Sequence, residues 1–437
     1  MYYGLPREME MQQKKVPDGK RSFQDQKKSV NWIGKYARYV NKDGGKLMYA
    51  ERIEGLKSSA IRDILKLTTR KGMISFAGGL PAPELFPLND IESATHKVLS
   101  RYGSNALQYS ITEGISPLRE KIAAMLDPAG RRVKPRHVII TQGSQQGLEL
   151  LSKLFLDKGS IVFTENPSYL GALHAFRLFE ADVHAIDMDD QGLIPNSLLK
   201  SLEKNRPAFI YLMPNFQNPT GVSLSLERRK ELVVIAATHD LLIIEDDPYG
   251  ELIFEGDKLP SLFTMAEGKN VIYLSSFSKT IAPGLRVAYA VGYEEIIAKM
   301  VIVKQGTDLQ TNTLGQFIVN EYLESGNYAE HIATLRRTYA SRRDIMLAAM
   351  HKYFPQSVRW NRPGGGMFLW ITLPHGQDTR ELLLRCIEHN VAFVPGQEFF
   401  PDSKGTNTAR LNFSNASPDD IDEGIKRMSS VLRKVPV

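Results

Sequence analysis

The run Ser275-Ser276-Phe277-Ser278-Lys279-Thr280-Ile281-Ala282-Pro283-Gly284-Leu285-Arg286 sets one amine among hydroxyls, seven residues before a guanidinium. A lysine works as nucleophile or base only as the neutral amine. Crowding by Arg286 and partial desolvation both disfavour the ammonium and would suit Lys279 to such work. Other capable residues follow short apolar runs in the same way. Gln142-Gly143-Ser144-Gln145-Gln146 follows HVIIT and leads into a helical pattern, where free backbone N–H groups suit a phosphate. Tyr169 follows IVFTE, Asn218-Pro219-Thr220-Gly221 follows AFIYLMP, and Asp246 and Tyr249 follow LLIIE. Each alone has an ordinary structural reading as a solvated lysine, a turn, a helix cap or a core-covering ring. Together, phosphate donors, an aromatic plate, an amide, a carboxylate, a phenol and an amine would converge on one edge.

Such convergence needs strands whose carboxyl ends lie side by side. Seven candidate strands occupy 137–141, 161–165, 182–187, 208–214, 241–246, 271–276 and 287–292, with amphipathic segments such as SQQGLELLSKLFLDKG and SLERRKELVVIAATHD between several of them. Their near-continuous apolar character implies burial on both faces, hence an α/β fold with a seven-stranded, mostly parallel sheet between helices. Ligands of such sheets bind outside the carboxyl ends of the strands. After residue 320 the texture changes to a long helical pattern, EHIATLRRTYASRRDIMLAAMHKYF, then RPGGGMFLWITLP, a helix at RELLLRCIEHN and strand-like VAFVP and ARLNFS. A closing helix follows, with Ser417 as N-cap and Pro418 at its first position. The expected organisation is a large domain over 91–325 and a smaller α+β domain built from 48–90 and 326–437. Pro363-Gly364-Gly365-Gly366 precedes no helix start and reads as a turn into a strand.

The ligand that needs this set of groups is pyridoxal phosphate: a lysine amine for its aldehyde, a carboxylate for its ring nitrogen, and hydroxyls, N–H groups and an arginine for its phosphate. In sequence, SSFSKTIAPGLR, NPTG, EDDPYG, TQGSQQGLEL and ARLNFS together resemble the fold-type I, class I/II pyridoxal phosphate aminotransferases, in order over about 48–437. FAGGLPAPELFP and SSAIRDILKLT are similar to the 2-aminoadipate/kynurenine aminotransferase branch. The resemblance implies an aspartate aminotransferase-like fold in which Lys279 bonds the cofactor and shuttles the proton and Asp246 holds the pyridine nitrogen. Asn218 and Tyr249 would bond the phenolic oxygen, and Tyr169 would stack on the ring. Ser144, Gln145, Ser276, Ser278 and Arg286 would hold the phosphate. Tyr109, in LQYSITEG, matches the tyrosine that reaches the phosphate of the neighbouring subunit, so a homodimer with shared active sites is implied. Asn166-Pro167 and Asn218-Pro219 are implied as candidate cis bonds.

For substrates, Arg410 matches the clamp for the α-carboxylate, with the backbone at Gly78-Gly79 closing from the other side and Arg62 placed to meet a distal carboxylate. The implied reaction moves an amino group from an L-amino acid of 2-aminoadipate, aromatic or branched-chain type to 2-oxoglutarate, by ping-pong kinetics. Two other readings use the same pocket: a non-catalytic sensor domain of the kind fused to winged-helix repressors, and another fold-type I reaction such as elimination. Retention of the α-carboxylate by Arg410 speaks against decarboxylation.

Bulk properties restrict the partners. The formal charge of +6 lies in residues 1–47, which hold 11 Lys and Arg against 5 Asp and Glu; the remainder carries 44 of each sign. Nucleic-acid binding by the body therefore loses its main support. The basic tail reads as a disordered extension, appended or translated from upstream of Met48, with a docking arm as the alternative. Cys386 is the only cysteine, so no intrachain disulfide can form and a reducing, cytoplasmic setting is expected. The nine histidines show no metal-ligand spacing, and no stretch is apolar enough to span a membrane.

Overall fold

The structure is a computed structural model and describes residues 49–54, 70, 72–127, 129 and 132–433. The chain divides into a unit ending at Glu54, whose described residues include a one-turn helix at Glu51–Glu54, and a body from Gly55 onward. Within the body the strands are β1 (Ile74–Ser75), β2 (Val138–Thr141), β3 (Ile161–Asn166), β4 (Asp182–Asp189), β5 (Gly192–Leu193), β6 (Phe209–Leu212), β7 (Ile243–Asp246), β8 (Val271–Ser276), β9 (Ala288–Val291), β10 (Arg359–Trp360), β11 (Phe368–Thr372), β12 (Val391–Ala392), β13 (Val394–Pro395) and β14 (Thr408–Asn412).

The large sheet has the order β2-β9-β8-β7-β6-β3-β4-β5. The pairs from β8 through β4 are parallel, while β9 runs antiparallel to both β8 and β2. All seven expected strands are present. β2, β6, β7, β8 and β9 are buried at every position, which is why their sequences lack polar alternation. The eighth strand, β5, is a two-residue antiparallel return of β4 across Asp190-Gln191, too short to show a period in sequence.

A four-stranded antiparallel sheet, β10-β11-β14-β13, and the parallel pair β1-β12 are built from the chain's ends. VAFVP, expected as one strand, is two. Val391-Ala392 pairs with β1, whereas Val394-Pro395 pairs with β14, with fully buried Phe393 at the switch. Pro395 has no N–H to extend a ladder, which favours the break. Pro363–Gly366 turns into β11, and Gly365 bridges Ile253. The final helix, Pro418–Leu432, starts as expected, with the Ser417 hydroxyl accepting the Asp420 N–H.

One hydrophobic core runs through both regions, joining Ile139 and Leu274 of the large sheet to Phe393, Leu411 and Met428. The helix Pro418–Leu432 rests on β1 through Gly424, where a Cβ would come 2.6 Å from the Phe76 ring and 2.8 Å from Ile74 Cγ2. Gly424→Ala should gain about 1 kcal/mol of helix propensity but lose about 1–3 kcal/mol to overpacking against fully buried Phe76. The expected result is a net loss near 1 kcal/mol in denaturant unfolding. An unchanged or raised midpoint would show that this contact yields freely.

Candidate active site

The site is assembled where β2, β3, β6, β7 and β8 end. At its phosphate-like end, Gly143 has φ +79°, and a Cβ there would lie 2.3 Å from Arg286 Nη2, so both conformation and space require glycine. Arg286 is itself left-handed, at φ 55°, after the short turn Pro283–Leu285. Its guanidinium donates to the Gln142 carbonyl at 3.2 Å and the Pro283 carbonyl at 3.4 Å. The helix Ser144–Phe155 starts immediately after Gly143, and the N–H groups of its first turn have no intrahelical partners. Ser144 Oγ is buried without a hydrogen-bond partner. Past β8, Ser276 Oγ donates to Ser278 Oγ at 2.8 Å and accepts the Ser278 N–H at 3.0 Å. The Gln145 side chain turns the other way, donating to the Gly171 carbonyl at 2.8 Å and receiving the Tyr169 hydroxyl at 3.5 Å.

At the other end, Lys279 Nζ donates to the Gly79 carbonyl at 2.8 Å. Burial, then the charges of Arg410 and Arg286, push its pKa down to about 8. Asp246 closes β7 and is 2% exposed; its Oδ2 accepts the Tyr211 hydroxyl at 2.9 Å, while Oδ1 is buried and unpartnered. Burial lifts the Asp246 pKa to about 7. Asn218 accepts Arg410 Nη1 at 2.7 Å and also bonds the Tyr249 hydroxyl. The bonds Asn166-Pro167 and Asn218-Pro219 are cis. Tyr169 is raised by burial and feels Asp246, Arg410 and Arg286 in turn, so these groups share one electrostatic neighbourhood.

Arg410, in β14, is 2% exposed. Its Nη2 donates to the Ala77 carbonyl at 2.6 Å, its Nε is buried without a partner, and its guanidinium lies 4.3 Å from the Phe368 ring and 5.0 Å from the Phe399 ring. Burial lowers its pKa to about 10. The strap 76–82 passes over these residues and is fixed at several points. The Phe76 carbonyl takes the Asn412 N–H at 2.8 Å, the Leu80 carbonyl takes the Ser414 hydroxyl at 2.9 Å, and the Ala82 N–H reaches the Tyr339 oxygen at 3.1 Å. Gly79 lets the strap lie close, since a Cβ would meet the Phe368 ring at 3.2 Å.

The structure thus brings together Gly79, Tyr169, Asn218, Asp246, Tyr249, Lys279 and Arg410, with Arg286, Ser144, Ser276 and Ser278 at the ends of the neighbouring strands. Tyr109 stands 77% exposed. Arg62, like residues 1–47, lies outside the described residues. Sequence reasoning passed over Tyr211, Phe368 and Phe399. Tyr211 carried a usable signal, because a tyrosine in a wholly buried strand needs a partner for its hydroxyl. Among the described residues no cluster suits a metal ion and no helix is long and apolar enough to cross a membrane.

The family described as aminotransferase class I and II matches residues 82–428. The 2-aminoadipate transaminase of Thermus thermophilus is 45% identical over 381 residues, spanning 86% of this chain and 94% of that protein. Aromatic-amino-acid aminotransferase 1 of Thermococcus litoralis is 40% identical over 392 residues, 88% and 94% of the two chains. Among solved structures, the Thermus thermophilus α-aminoadipate aminotransferase LysN, complexed with N-(5'-phosphopyridoxyl)-L-leucine, superposes with a TM-score of 0.83 at 43% identity, covering 88% of this chain and 97% of that one.

The electrostatics around Lys279 set a titration. In cofactor-free protein, reductive methylation of Lys279, followed by mass spectrometry, should rise with a midpoint near pH 8, against about 10.4 for an ordinary lysine. Arg410→Met removes a like charge and should move the midpoint upward; a midpoint that stays put would remove Arg410 as a cause.

Proposed function

This chain belongs to the class I and II aminotransferases, and on that premise we propose which residues carry its reaction, which substrates it takes and how it assembles. It is a pyridoxal phosphate-dependent aminotransferase. When bound, the cofactor supplies an aldehyde that joins amino groups and a ring that draws electrons from the carbon attached to that nitrogen. The buried atoms that lack partners suit it: Asp246 Oδ1 as acceptor for a ring N–H and Ser144 Oγ as donor to a phosphate.

The observation that carries the assignment is a lysine of lowered pKa sharing one buried site with Arg410 and an unpartnered Asp246 oxygen. Lys279, partly neutral near pH 8, would be the nucleophile for the aldehyde and would then take the α-proton at Nζ and hold it for return. Asp246 Oδ1 holds a proton at the ring nitrogen, Tyr169 covers the ring, and Asn218 and Tyr249 hold its phenolic oxygen. Arg286, Ser144, Ser276, Ser278 and the Gln145 N–H in the first turn of the helix Ser144–Phe155 would hold the phosphate. Arg410 exchanges its bonds to Asn218 and Ala77 for the substrate α-carboxylate, a charge-assisted contact worth roughly 1.5–3 kcal/mol. Gly79 admits that carboxylate beneath the strap.

For substrates, the reading is an L-amino acid donor of 2-aminoadipate, aromatic or branched-chain type with 2-oxoglutarate as acceptor, in ping-pong order. The names of the relatives support the first two classes, and the leucine adduct of the Thermus enzyme the third. The assembly is a homodimer in which Tyr109 reaches the neighbour's phosphate site. Exposed Leu107, Tyr109 and Ile111 form an apolar stretch that suits such an interface. The proposed domain limits are 48–90 with 326–437 and 91–325, and the proposed setting is the cytoplasm.

An amino-donor panel with 2-oxoglutarate, read by glutamate formation, tests the reaction. Bound cofactor with no oxo acid release would support a sensor, and pyruvate from cysteine-type substrates without an acceptor would support elimination. Lys279→Ala should lower kcat by about 10⁴-fold or more, and full activity without added amine would overturn the mechanism. Arg62→Ala should raise KM for 2-aminoadipate more than for leucine or phenylalanine; equal changes would reject Arg62 as the contact to a distal carboxylate.

A further inference from the structure

Behind the phosphate-like end lies an ion pair that the proposed reaction does not use. Lys304, at the end of the helix Glu294–Gln305, is 0% exposed. Its Nζ donates to Asp308 Oδ1 at 2.8 Å, Asp308 Oδ2 at 3.0 Å and Gln146 Oε1 at 2.7 Å. Gln146 Nε2 in turn donates to Asp308 Oδ2 at 2.6 Å, so the three side chains form a closed ring of bonds. Gln146 is the third residue of the helix Ser144–Phe155, and its Oε1 also accepts the Gln142 N–H at 2.8 Å. The Gln142 carbonyl is the one that holds Arg286. Gln142 is therefore fixed at both ends, its N–H by the Gln146 side chain that Lys304 holds and its carbonyl, in the peptide leading into Gly143, by Arg286.

We propose that Lys304, through Asp308 and Gln146, is a positioning residue for the cofactor phosphate, setting the Gln142-Gly143 backbone and with it Arg286. This rests on the phosphate site assigned above. Two physical points separate it from a packing role. Burying the Lys304 ammonium costs desolvation that its partly exposed partner Asp308 offsets only in part, and an apolar side chain between the helices Glu294–Gln305 and Ser144–Phe155 would avoid that cost. What the pair supplies instead is directional bonds to Gln146. Moreover, Lys304 and Asp308 together carry no net charge, so their field at the phosphate largely cancels. Geometry is the remaining means by which they reach the phosphate.

The discriminating measurement compares two ligands of the full-length apoprotein, pyridoxal phosphate and pyridoxal, by quenching of protein fluorescence. Lys304→Met should weaken pyridoxal phosphate about 10- to 100-fold, the scale found when outer partners of metal ligands are removed, while pyridoxal binding changes by less than about twofold. Gln146→Leu, which cuts the relay and keeps the helix former, should show the same phosphate-selective loss, and decides the matter if Lys304→Met does not fold. Equal weakening of both ligands, or of neither, would overturn the proposal. A wild-type protein that binds the two equally would instead overturn the phosphate site itself.

Discussion

Three cations, Lys279, Arg286 and Arg410, share one electrostatic neighbourhood with the Asp246 carboxyl, which burial pushes toward its neutral form. That imbalance is the constraint on which the rest depends. Unlike charges in a buried site would neutralise one another and leave nothing for a ligand; like charges held together are unstable unless the scaffold fixes each by other means. Here the fixing is done by neutral groups. Arg410 is held by an amide oxygen, a backbone carbonyl and two aromatic faces, Arg286 by two carbonyls, and Lys279 by the Gly79 carbonyl. Each cation keeps its charge unspent. Lys279, the weakest acid-base competitor of the three, responds by moving its pKa toward neutrality.

The fold explains how these neutral anchors come to be in place. β8, β7, β6 and β3 are parallel neighbours, so their ends present Lys279, Asp246, Asn218 and Tyr169 within a few strand spacings. The small antiparallel sheet contributes Arg410 and Phe368 from paired strands β14 and β11. Strap 76–82 then ties the two sets of residues together through carbonyls, and Gly79, with no side chain, lets it lie against the Phe368 ring. The glycine at 143 does the same at the phosphate-like end, where the helix start must pass under a guanidinium.

Much of this was legible in sequence, for a physical reason. Strands buried on both faces leave long apolar runs, and residues that follow them lie at one sheet edge, so Lys279, Asp246, Asn218 and Tyr169 could be placed without coordinates. Arg410 came from resemblance alone, and its effect on Lys279, larger than that of Arg286, was missed because the two lie in different sheets. The division of VAFVP between two sheets was hidden because both halves are apolar and a change of pairing partner leaves no mark on composition. Lys304 was equally invisible. In MVIVKQG it reads as the polar edge of a helix, and only its burial against Gln146 gives it another meaning.

The same imbalance accounts for how one amine can serve two opposed demands. An amine that attacks an aldehyde must be free of its proton, whereas one that later removes a proton from carbon must be basic enough to keep it. Burial and two guanidiniums favour the first state in the cofactor-free protein. A phosphate at Arg286 and a carboxylate at Arg410 offset the two charges that depress Lys279, so its basicity rises as those anions bind. Another buried carboxyl at this edge, Glu165 near the end of β3, does not pre-empt that change. Burial lifts its pKa to about 8, and it serves the Met213 N–H and the Gln217 amide, leaving it largely uncharged at neutral pH. A permanent anion there would have compensated the arginines before any ligand arrived. The ligands' own charges thus both hold them in place and retune the lysine they need.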